Sequence, residues 1–173
     1  MARYRTTAAC ACAVVSLAAV TESASAHHSF AMFDVAKTYV FTGVVIRVNP
    51  DSNHLQLFFA PLNEARDAVL RDEKGELVTW AVEMEGAAQA AEYGVTVNAF
   101  PRGTVFSVAL HPLRSGLPAG ARGKNGLFRC PDDAVPAPGK HCDSVPGATA
   151  RGPGVLPTGS ETPPAAPAAS PAQ

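Results

Sequence analysis

The chain has 173 residues, 47% hydrophobic and 17% charged, and its 14 Lys+Arg against 15 Asp+Glu leave a formal net charge of −1. That balance excludes a phosphate-binding surface spread over the whole molecule. No apolar run reaches the roughly 18–20 residues that span a bilayer as a clean helix, and the length fits one domain.

The first 26 residues have the three parts of an export signal: basic Arg3 and Arg5, a small-apolar stretch through Val14, Val15, Leu17 and Val20, then Ala24-Ser25-Ala26. We expect cleavage after Ala26, which makes His27 the first mature residue and the destination periplasmic or secreted. The competing reading, an uncleaved anchor, has an apolar stretch of only about 15 residues to work with. Cys10 and Cys12 fall inside the removed segment, and neither closes a Leu-x-x-Cys pattern for lipid attachment. No membrane span remains once the signal is gone.

Residues 39–48 are rich in β-branched and aromatic side chains and end at Asn49-Pro50-Asp51, which predicts a first strand with a bulge at Gly43. Leu55, Leu57 and Phe59 alternate with Gln56 and Phe58, a second strand over 54–60. Asp72-Glu73-Lys74-Gly75 supplies turn chemistry before a third strand over 77–84, where Val78, Trp80, Val82 and Met84 share a face. Residues 85–93 change period: Ala87, Ala88, Ala90 and Ala91 favour helix, and Gly94 follows where a C-cap glycine belongs. A fourth strand is expected over 104–111, and residues 125–129 are a weak candidate for a fifth.

Three strands, a short helix, then one or two strands is the order of a small OB-like five-stranded barrel, an all-β fold with one short helix, whose closure hides its edges. An open, sandwich-like sheet is the alternative, because the fifth strand is poorly marked. Phe58, Phe59 and Trp80 are assigned to the core.

Export would place Cys130 and Cys142 where oxidised thiols persist, and an even pair predicts a disulfide. A ring this short stabilises by about 2–3 kcal/mol on the chain-entropy argument. A metal site using His141 with the two sulfurs is the alternative, with an incomplete ligand set. The folded domain is therefore placed at 27–142. From Asp143 the composition turns to Pro, Gly, Ala, Ser and Thr, too poor in branched apolar residues to offset ordering entropy, and 143–173 is expected to be a disordered tail.

The five histidines are His27, His28, His54, His111 and His141. With His27 first in the mature chain, its α-amino nitrogen and imidazole nitrogen form a chelate ring suited to Cu(II), which accepts tetragonal nitrogen sites. The candidate metal set is His27, His28, His54 and His111, the last two standing at the start of the second strand and the end of the fourth. The competing reading makes His27 and His28 polar residues beside a cleavage site, and His54 and His111 hydrogen-bonded strand ends.

His27-His28-Ser29-Phe30-Ala31-Met32-Phe33-Asp34 after a signal, a Gly-Val strand leading to Asn-Pro, and His111-Pro112-Leu113-Arg114-Ser115-Gly116 resemble a family of small exported bacterial proteins of uncharacterised function. The resemblance runs from the signal to about Gly120 and implies a periplasmic location and a small β-fold. Such proteins commonly carry Asn-Pro-His at the second strand. This chain has Asn49-Pro50-Asp51-Ser52-Asn53-His54 instead, which shifts the place of His54.

Catalytic constellations are thin. Ser29, Ser52, Ser107 and Ser115 lack an elbow motif, and the cysteines are better used as a bridge. We expect no enzyme. The carboxylates Asp51, Glu64, Asp67, Asp72, Glu73 and Glu76 sit in loops without the alternating oxygen ligands of a calcium site. Removing Arg3, Arg5 and Glu22 takes the net charge from −1 to −2, so no nucleic-acid partner is expected. Two readings remain: a domain that captures copper through its mature N-terminus, and an envelope module that presents loops to a protein partner without metal.

Overall fold

The computed structural model describes residues 30–51 and 53–158. The expected signal, His27, His28 and residues 159–173 lie outside them.

The described chain is mostly β. Its strands are β1 (Tyr39–Asn49), β2 (Gln56–Pro61), β3 (Trp80–Glu83), β4 (Val105–Pro112), β5 (Ala119–Ala121), β6 (Leu127–Arg129) and β7 (Thr149–Ala150), with one helix, α1 (Ala87–Glu92), between β3 and β4. Antiparallel pairings join β1 to β2, β2 to β3, β5 to β4 and β4 back to β1, while β3 and β5 run parallel. The result is a closed five-stranded barrel in the order β1-β2-β3-β5-β4, the OB-like arrangement read from the sequence. β6 and β7 extend the sheet outward from β4.

β1 explains how one strand serves the whole barrel. Tyr39, Phe41 and Val45 face the core, then the register against β2 shifts between Val45 and Arg47, and Val48 packs inward instead. An extra residue flips the side-chain parity, so the inward set changes from odd to even positions. The bulge therefore lies at Ile46 and not at Gly43, which pairs regularly with Pro61 and Phe106.

Closure comes from a segment other than the expected one. Residues 127–129 do form a strand, but it pairs with β4 and β7 and not with β3; the strand that joins β4 to β3 and closes the barrel is Ala119–Ala121. Its Ala-Gly-Ala composition carries no periodicity to read. Packing dictates it: a Cβ on Gly120 would collide with the His111 carbonyl oxygen, so only glycine admits this approach of β5 to β4.

Trp80 is 3% exposed, edge-on to Tyr39 at 6.2 Å and tilted over Phe41 at 4.6 Å between ring centroids. Phe59 is fully buried among the same rings, edge-on to Phe41 and Phe106. Phe58 departs from the core assignment. It points outward on β2 and is half-buried beneath the Arg47 guanidinium, 3.6 Å from its ring centre.

The chain past Asp143 also departs from expectation, because residues 143–158 are folded onto the barrel. Leu156 is 8% exposed and packs with Val40 and Ala109. Gly126 N–H donates to the Val155 carbonyl at 3.0 Å, and a Cβ on Gly126 would lie 2.6 Å from the Val155 carbonyl carbon. Arg151 N–H donates to Leu127 O at 2.8 Å. Composition gives a poor account here because one buried leucine and backbone hydrogen bonds, not a hydrophobic pattern, hold the strap.

Two outcomes follow. Deleting everything after Asp143 should lower the melting temperature by at least about 5 °C, the shift produced by roughly 1–2 kcal/mol in a domain of this size, whereas deleting only 159–173 should leave it unchanged; differential scanning calorimetry separates the two. Trp80→Ala should cost about 3–5 kcal/mol in a urea titration.

Candidate metal site

β2, β3, β5 and β4 align one residue each in a single row: Gln56 opposite Glu83, Glu83 opposite Ala121, and Ala121 opposite His111. Neighbouring strands stand about 4.8 Å apart, so roughly 10 Å of sheet separates the backbones of Glu83 and His111. His54 enters this row through its side chain, with Nδ1 3.4 Å from Glu83 Oε1 and 3.3 Å from the Met84 carbonyl oxygen. Both barrel histidines of the candidate set thus stand at one end of the barrel, in separate environments.

His111 has a defined tautomer. Its Nδ1–H donates to the Lys37 carbonyl at 2.8 Å, and Nε2 accepts from the Asn125 side-chain amide at 3.2 Å. An imidazole locked through Nδ1–H to a backbone carbonyl presents Nε2 as its lone pair, the orientation that metal-binding histidines use.

The same end receives the start of the described chain. Phe30–Met32 form one turn of 3-10 helix, Phe33 bridges Leu113, Asp34 N–H donates to Pro112 O, and Arg114 N–H donates to Met32 O. The Arg114 guanidinium reaches Ala31 O at 3.1 Å and stands 3.8 Å from the Asp34 carboxylate. A Cβ on Gly123 would lie 3.6 Å from His111 Cδ2 and 3.9 Å from Phe30 Cε1, so the two rings flank one glycine. Met32 meanwhile lines a cleft of about 310 Å³ with His54, Glu83, Gln56 and Asn49.

Arg122 and Glu85, neither of them singled out by the sequence, position this end. Arg122 is wholly buried, and its Nη1 donates to Glu85 Oε1 at 2.8 Å and Oε2 at 3.1 Å. Its Nε holds Asn125 O at 2.9 Å and Nη2 holds Pro153 O at 2.8 Å. It therefore fixes the turn that carries Gly123 and Asn125 against His111.

Among the described residues, no three His, Cys, Asp or Glu side chains converge to hold a metal ion. A complete set drawn from the candidates requires His27 or His28. No helix among the described residues is long and apolar enough to cross a membrane.

Residues 13–122 match a family of unknown function, DUF6152. The chain belongs to that family. No curated protein and no solved structure matches it. The DUF6152 match ends at Arg122, so the disulfide loop and the C-terminal strap lie beyond it.

Cys130 and Cys142 are joined, as expected of the even pair, with Cα atoms 5.0 Å apart. His141 serves that loop in place of a metal-ligand role with the sulfurs. Cys142 N–H donates to Ser107 Oγ at 2.9 Å, Ser107 Oγ lies 2.7 Å from Thr42 Oγ1, and Thr42 Oγ1 lies 2.9 Å from His141 Nδ1. Each group is satisfied when the hydroxyls donate in sequence from Ser107 to Thr42 and from Thr42 to a neutral imidazole. Protonating Nδ1 reverses the chain and strands a buried hydroxyl.

Burial first, then the Arg66 charge, holds the His141 pKa below the ordinary value of 6.5, while Asp143 pulls it the other way. The unfolded chain therefore takes up this proton more readily than the folded one. Its contribution to stability is full above pH 6.5 and declines as pH falls below it. Between pH 7.5 and 5, wild type should lose more stability to urea than His141→Gln, which keeps a hydrogen-bonding group without the titration.

Proposed function

We propose that the protein is an exported, non-enzymatic domain of the periplasm or extracellular space that binds Cu(II) through a mature N-terminus at His27. The observation that carries this reading is the placement of Phe30 beside Gly123 and His111. His28 and His27 precede Phe30 by two and three residues, a reach of roughly 7–11 Å at full extension, which supports a site shared by the His27 α-amino and imidazole nitrogens with His111 Nε2. Three nitrogens then suit Cu(II), with the Asn125 amide turning aside to free the Nε2 lone pair.

A second reading, an envelope module that docks a protein partner without metal, is favoured by Phe30, Val35 and Leu117, which are 57%, 55% and 61% exposed. Calorimetric titration separates the two. Protein beginning at His27 should bind Cu(II) at least tenfold more tightly than protein with one extra N-terminal residue, because the extension removes the amine chelate. His111→Ala should lose at least tenfold, about 1.4 kcal/mol, with an unaltered far-UV spectrum. Binding should weaken on acidification, because ligation needs unprotonated nitrogens. Equal, weak binding by all three proteins would leave the metal-free module.

A further inference from the structure

We propose that the cleft beside β2 is a second metal position, for a soft monovalent ion, Cu(I) or Ag(I), held by the Met32 thioether and the His54 imidazole. It rests on the copper reading only for the choice of copper as the physiological ion; its ligands are described residues and do not include the N-terminal amine.

Met32 is the first observation. The residue is 53% exposed, while Met84 is 4% exposed in the core. A methionine's usual place is an apolar gap, whereas Met32 is exposed and shares its cleft with Asn49, Gln56, Glu83 and His54. Its backbone is fixed all the same, since Met32 O accepts from Arg114 N–H at 2.9 Å. The chain thus holds a thioether at the lip of a polar cleft.

His54 supplies the second ligand. Glu83 Oε1 and the Met84 carbonyl both face its Nδ1, at 3.4 and 3.3 Å. A carboxylate behind one imidazole nitrogen orients the ring and raises the basicity of the other, the arrangement found around metal-bound histidines. Nε2 is the atom we assign to the ion. Thioether sulfur selects Cu(I) over harder ions, and imidazole suits copper. A filled-shell monovalent ion accepts few ligands and imposes no square geometry, so one sulfur and one nitrogen make a binding pair where Cu(II) would need more. The carboxylates of Glu83 and Asp51 at the cleft favour a cation over a neutral ligand.

The test uses the mature chain carrying one extra N-terminal residue, so that the amine chelate is blocked. Methionine methyl groups are labelled with carbon-13 and Ag(I) is added as the redox-inert probe. One equivalent should move the Met32 methyl resonance and leave that of Met84 in place. Met32→Leu and His54→Gln should each weaken Ag(I) binding at least tenfold, and Cu(I) binding likewise in competition with a colorimetric chelator. An unmoved Met32 methyl in the folded wild-type chain overturns the proposal without reference to any variant, as does wild-type affinity in either substitution. Failure of the Cu(II) reading shows in the extension experiment instead, so the two outcomes stay separate.

Discussion

A guanidinium with no exposed surface is costly unless its nitrogens find acceptors, and each of the three Arg122 nitrogens does so, on Asn125 in its own turn and on Glu85 and Pro153 from distant parts of the chain. Glu85 comes from the link between β3 and α1, Asn125 from the turn after β5, and Pro153 from the C-terminal strap, with the Tyr93 ring 5.6 Å away. Replacing both ions by well-packed apolar groups need not destabilise a protein, but removing one leaves a buried charge unpaired, at a cost of about 3–5 kcal/mol. The pair therefore acts as a condition on geometry more than as a source of stability. The three segments must arrive together, and when they do the turn carrying Asn125 is set against His111.

Barrel order and most strands were legible because they follow from local rules. Alternation marked β2 and β3, a run of alanines before Gly94 marked α1, and the number and order of elements pointed to closure. What could not be read was decided by contact between segments far apart. Ala119–Ala121 closes the barrel because a backbone can approach His111 only where glycine stands, and no three-residue stretch of small side chains announces that. The bulge went to the wrong residue for a related reason: glycine is a fair sign of irregularity, but the parity change between Val45 and Val48 is set by which side chains the core accepts. The strap at 143–158 resembles a disordered linker in composition, yet its contribution is carried by backbone hydrogen bonds, Leu156 and one carbonyl that Arg122 requires.

For the candidate site, histidine positions were visible and their partners were not. His111 could be placed at a strand end, but the Lys37 carbonyl and Asn125 amide that define its tautomer come from loops with no distinguishing pattern. The insertion of Asp51-Ser52-Asn53 ahead of His54 is a sign that it occupies a position of its own, and the structure sets it against Glu83 in a cleft separate from the His111 ring. Met32 was in plain view within the opening motif. Its meaning depends on exposure, which no periodicity argument supplies for a residue in a single turn of 3-10 helix.

Both functional readings draw on the least core-like part of the molecule. Phe33 alone among residues 30–35 is buried, and the rest of that segment is held by backbone hydrogen bonds to Pro112 and Arg114 and by charges spaced at 3.8 Å. Exposed ion pairs contribute little to stability, and local openings follow regions with few apolar contacts. A ligand that joins residues ahead of Phe30 to the barrel would close such a segment by mass action, whereas the Trp80 core would be indifferent to it. Aromatic packing around Trp80 keeps the barrel shut, whereas backbone and side-chain polar contacts of Arg114 and Arg122 set the segment from Phe30 and the turn carrying Gly123 against His111.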